Sequence, residues 1–109
     1  MRDFDFEKEL QACKDKKRED ETIVFTVGCG RIIPLTTDGK KIRKGMEEAI
    51  KYIKKLDGFV GVHPVDLWHT LLLFDTENNA KGARNLLRAK DIQCANYIVP
   101  ILIETKYLR

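Results

Sequence analysis

The chain has 109 residues, 43% apolar and 34% charged, with a net charge of +3. That length predicts one domain over 1–109, and the apolar fraction supports a core, which argues against a wholly disordered chain. No stretch approaches the ~20 apolar residues of a membrane helix, and the charged first twenty residues predict no signal peptide, so a cytoplasmic protein without membrane contact is expected.

Charge is unevenly spread. Residues 1–22 hold six basic and eight acidic side chains, residues 38–57 seven basic and four acidic, and residues 76–91 four basic and two acidic. The middle of the chain is therefore basic and its beginning acidic. Ordinary solvated helix faces explain this, and a phosphate-tracking surface is the sharper alternative.

In chain order, residues 3–19 read as a polar amphipathic helix whose narrow apolar stripe is Phe6, Leu10 and Cys13. A mixed-charge spacer to residue 21 separates it from a βαββαβ core over 22–109. Thr22–Val27 is a β-branched and aromatic strand, and Gly28-Cys29-Gly30 reads as a tight turn. Arg31–Thr36 is the short return arm of a hairpin, restricted by Pro34. Thr36-Thr37-Asp38 supplies capping oxygens for the strongest helix, with Ile42, Met46, Ala49, Ile50, Ile53 and Leu56 on one face and lysines on the other. Asp57-Gly58 ends it. Strands follow at Phe59–His63 and Trp68–Phe74. Asp75 or Thr76 caps a helix carrying Ala80, Ala83, Leu86 and Leu87, and the last strand runs from Cys94 to Glu104.

This order predicts an α+β fold, a ferredoxin-like split βαββαβ sandwich preceded by an amino-terminal helix. Pro100 cannot donate to a ladder, which places the last strand at a sheet edge, as that topology requires. Both helices of such a sandwich cover one face. Leu71-Leu72-Leu73 and Ile101-Leu102-Ile103 do not alternate as a wet second face would. The expectation is that the amino-terminal helix, or a second copy of the chain in a homodimer, covers that face through Phe6, Leu10, Leu71, Leu73 and Leu102.

Phe74, Ala80, Ala83 and Leu87 reproduce the spacing of the third strand and second helix of the RNA recognition motif, and over about twenty residues the chain resembles that family. The resemblance implies the topology. Its base-stacking function would need aromatic rings on the first and third strands, where this chain offers Phe25, His69 and Leu71.

Catalytic signals are sparse. The Gly28-Cys29-Gly30 run lacks the immediately following helix that a phosphate-binding loop needs. Cys29, His63 and His69 form the one thiol–imidazole set, for which Asp66 would supply a fourth zinc ligand. The chain contains no serine, and Cys13, Cys29 and Cys94 show no CxxC spacing, which reads as three reduced thiols. Neither a cofactor nor a metal is expected. The favoured expectation is a small non-catalytic binding or regulatory protein acting through protein–protein contacts, of the size and style of inhibitors encoded by phage and mobile elements. The alternatives are nucleic-acid binding through Lys40, Lys44, Lys51, Lys55, Arg84 and Arg88, and a minimal thiol or metal-site enzyme at Cys29, His63 and His69.

Overall fold

The computed structural model describes residues 4–29, 51–64, 69–90 and 92–109. The expected return arm 31–36, the caps at 36–38, most of the helix after them, Trp68 and Asp91 lie outside the described residues. The first element is helix α1, Phe6–Lys16, capped by Asp5, whose carboxylate accepts the Lys8 N–H at 3.1 Å. Glu7 and Glu9 in its first turn and Lys14 and Lys16 in its last complement the helix dipole.

Strand β1 is Glu21–Cys29, three residues longer than the apolar run predicts. Gly28 and Cys29 do not form a tight turn. They continue the ladder, opposite Leu71 and Thr70. The reason is a third segment: the Ala95 N–H donates to the Gly28 carbonyl at 2.8 Å, and a Cβ on Gly28 would stand 3.4 Å from that of Ala95. The glycine serves close approach of two backbones.

The chain is helical at 51–54, here α2, and turns at Gly58, whose φ of 76° is open to a residue without Cβ. Strand β2, Phe59–Pro64, strand β3, Thr70–Phe74, helix α3, Glu77–Ala89, strand β4, Val99–Glu104, and the 3-10 turn η1, Thr105–Tyr107, follow. Thr76 caps α3 by accepting the Asn79 N–H at 3.1 Å. The result is an α+β structure in which the described strands form a four-stranded sheet of order β2-β3-β1-β4, every neighbour antiparallel. β4 lies at an edge, with Pro100 opposite Phe25. No described helix is long and apolar enough to cross a membrane.

On one face, Val27 and Cys29 of β1 join Leu72 and Phe74 of β3, Ile53 and Leu56 at the end of α2, and Ala80, Ala83 and Leu87 of α3 in a single buried core. Phe59 meets Phe74 edge-on, with centroids 6.1 Å apart.

The opposite face is also closed over Val24, Thr26 and Leu73, which are 0%, 1% and 3% exposed. Of the two covers expected, α1 and a second copy of the chain, α1 does not lie on this face. The Phe6 ring lies 6.1 Å from Phe25, and the Cys13 thiol donates to the Pro100 carbonyl at 3.5 Å. Phe25 packs against the core beneath α3, so α1 belongs to the same helical layer and extends it over β4. The physical reason is reach: α3 packs on β1 and β3, leaving the inner side of the edge strand for another helix to cover. On the far face the carboxy-terminal segment contributes instead. Thr105 N–H donates to Asp20 O at 2.8 Å, and the Thr105 and Thr22 hydroxyls meet at 2.6 Å. Leu108 then passes the Gly61 position, and Arg109 N–H reaches the Val60 carbonyl of β2 at 2.9 Å. This strap runs from the β4 edge to the β2 edge. Both apolar runs thereby find covered neighbours on each side of the sheet.

Two consequences are measurable by urea denaturation. Leu72→Ala, at a site 1% exposed, lowers unfolding free energy by about 2–5 kcal/mol. Phe6→Ala, which removes a half-buried ring, lowers it by roughly 1–2 kcal/mol, whereas a loosely tethered α1 would leave it unchanged.

Candidate functional site

Three surfaces carry the residues singled out by the sequence. The first is the outer side of α3. Its inward positions, Ala80, Ala83 and Leu87, are buried, and the four-residue spacing of Arg84 and Arg88 brings both guanidiniums to the loop before β4. Arg84 Nη1 donates to Asn96 O at 2.8 Å. Arg88 Nη2 donates to Cys94 O at 3.3 Å, Ala95 O at 3.2 Å and Asn96 Oδ1 at 3.0 Å. These arginines hold a loop in place. Lys81 pairs with Glu77 at 3.6 Å, and Lys90 sits 4.5 Å above the Tyr52 ring. Of the six candidate phosphate contacts, Lys51 and Lys55 are exposed, and Lys40 and Lys44 lie outside the described residues. The structure does not gather the described four into one free cationic patch.

The second surface is the proposed thiol–imidazole set, which strand register takes apart. Cys29 stands opposite Thr70, whereas His63 stands opposite Leu71. Adjacent positions of a strand point to opposite faces, so Cys29 faces the helical core and His63 the other side. His69 is exposed just before β3. Among the described residues, no group of three or more His, Cys, Asp and Glu side chains is placed to hold a metal, and Asp66 is outside them. Cys29 faces Cys94 instead, sulfur to sulfur at 3.9 Å. Burial pushes the Cys29 thiol up to about 12, and the neighbouring Cys94 adds to the rise. A thiol so placed stays protonated at neutral pH and is a poor nucleophile.

The third surface is the strapped face of the sheet. An open concavity of about 600 Å³ is lined by His63, Leu73, Ile103 and Tyr107, and Val62, Glu21, Leu102 and Glu104 reach its edges. Tyr107 is 70% exposed, a large apolar surface to leave in water, whereas Val62, opposite Leu72 in register, points to the helical side at the β2 edge. Lys106 binds Glu104 at 3.2 Å and lies 5.1 Å from the Tyr107 ring, giving the concavity a charged rim. Of this site, sequence reasoning named only Leu73 and Leu102 as interface residues. Its best signal was the unalternating Ile101-Leu102-Ile103 run, but nothing local says that the last residues fold back over it.

The expected interface residues divide between faces. Phe6 packs into the helical layer, and Leu102 shares the ladder side of Ile23 and Phe25, where α1 lies. Leu10 is half-buried on α1, while Leu71 and Leu73 belong to the strapped face. The stacking positions of the RNA recognition motif fare similarly. Phe25 lies under Phe6, His69 precedes β3, and Leu71 carries no ring. No protein-family model, curated protein or solved structure matches this chain.

The α3 tether makes a local prediction. Arg88→Ala removes three hydrogen bonds from residues 94–96, and amide exchange at Ala95 accelerates by about tenfold as that loop opens more often. Unchanged exchange would show that the backbone bond to Gly28 holds the loop alone.

Proposed function

We propose that this chain is a small non-catalytic binding protein that engages a protein partner through the strapped face. The observation that carries the reading is the concavity over Leu73 and Ile103 bordered by the exposed Tyr107. An aromatic side chain beside half-buried aliphatic walls and a charged rim has the make-up of a protein-contact site, where a few aromatic anchors supply most of the affinity. The disposition of the arginines supports the same choice. Arg84 and Arg88, which a polyanion site would need free, are bonded to their own chain. We further place the single domain as a ferredoxin-like sandwich preceded by α1. The order β4-β1-β3-β2 supports that placement, as do helices packed on one side. The three free cysteines support a reducing, cytoplasmic location.

The test is capture from the native host lysate with the wild-type chain and with the His63→Glu, Tyr107→Ala double variant, each with and without nuclease. A partner that survives nuclease and is lost with the double variant is the expected result. Binding that vanishes with nuclease and with Lys51→Glu, Lys55→Glu, and falls steeply with salt, would move the function to nucleic acid. Self-capture abolished by the double variant would identify the partner as a second copy of the chain.

A further inference from the structure

Cys29 and Cys94 are 65 residues apart in sequence and have no motif in common, yet they form an isolated antiparallel bridge between the end of β1 and the loop before β4. The Ala95 N–H bonds to the Gly28 carbonyl, one residue outside the cysteine pair on each strand. That pattern makes Cys29 and Cys94 a non-hydrogen-bonded pair, the class in which facing Cα atoms approach to about 4.5 Å and side chains lie closest. A disulfide needs Cα atoms roughly 4.4–6.8 Å apart, so side-chain rotation alone can close the sulfur separation of 3.9 Å. Cys13 is engaged elsewhere, against Pro100 on the α1 side of β4.

We propose that Cys29 and Cys94 are a redox switch that closes to an intramolecular disulfide when the protein meets hydrogen peroxide. Cys94 is the attacking thiol. It is half-buried, shares a hydrogen bond with the Cys29 thiol at 3.9 Å and lies near Arg88 and Arg84. Burial raises its pKa, and that hydrogen bond and the two guanidiniums oppose the rise. The Cys94 thiolate attacks one peroxide oxygen, forming an S–O bond as the O–O bond breaks. The departing hydroxide takes up a proton and leaves as water. Cys94 is now a sulfenic acid. The Cys29 sulfur displaces its hydroxyl, forming the S–S bond and breaking the S–O bond, and the Cys29 proton leaves with that hydroxide as a second water. Two thiols have lost two electrons and one peroxide has been reduced to two waters. A dithiol reductant reverses the bond by exchange. The closed form ties the loop at 94–96, already gripped by α3, covalently to the sheet's central strand.

The experiment treats the reduced full-length chain with hydrogen peroxide and follows intact mass, alkylatable thiols, peptide linkage and Tm. The expected result is a loss of about 2 Da, one linked peptide pair joining Cys29 to Cys94, and Cys13 still open to alkylation. Because the bond closes a long loop, Tm rises by at least about 5 °C and returns with dithiothreitol. Cys13→Ala behaves as wild type, and Cys94→Ala forms no intramolecular bond. A linkage through Cys13, a covalent dimer, or oxygen adducts without a linked peptide overturns the proposal. So does an unchanged mass under conditions that oxidise the urea-unfolded chain. The mapping is done on the wild-type protein, so it stands even if a variant fails to fold.

Discussion

β1 is hydrogen-bonded along both edges and buried on both faces, and the remaining elements take their positions from it. Its odd-numbered side chains, Phe25, Val27 and Cys29, feed the helical layer, while Val24 and Thr26 occupy the strapped side. A strand enclosed in this way tolerates polar groups only when they are satisfied. Thr26 meets the condition by donating its hydroxyl to the Val99 carbonyl at 2.8 Å. The ladder to β4 brings Glu104 beside Glu21, and that meeting point is where the strap begins.

The functional surfaces inherit this arrangement. One direction of the β1 pleat points Cys29 at Cys94 beneath the loop that α3 holds, and the other supports the concavity at the far side of the sheet. A shift of register by one residue would exchange these roles, sending Cys29 to the strapped face and Val24 toward α1. The two sites are thus separated by the thickness of a single sheet, one enclosed and covalently reactive, the other wet and apolar.

Local signals were legible where one residue type had one physical use. A cap at Asp75 or Thr76, which the structure resolves as Thr76, Gly58 as a helix terminator and Pro100 as the mark of an edge strand could each be read because few conformations suit them. The spacing of Ala80, Ala83 and Leu87 likewise identified the buried side of α3. What escaped reading was the choice among partners. The stripe of Phe6, Leu10 and Cys13 announces that α1 docks, but periodicity carries no information about which sheet face receives it. Gly28 looked like turn chemistry because a glycine required by a neighbouring backbone is indistinguishable, in one sequence, from one required by its own φ. The thiol–imidazole set failed for a related reason. His63 and His69 flank one connection in the predicted topology, but face assignment depends on a register that begins outside them.

The carboxy-terminal strap has a mechanical consequence. Its described backbone attachments lie in series along the chain, Arg109 to Val60 first and then Thr105 to Asp20. Tension applied at Arg109 therefore loads them one after another, and each gives way alone before any force reaches the β1–β4 ladder, whose bonds bear load together. The strap would act as a weak outer latch that peels and reseats, baring Leu73 and Ile103 while the sheet beneath keeps its shape.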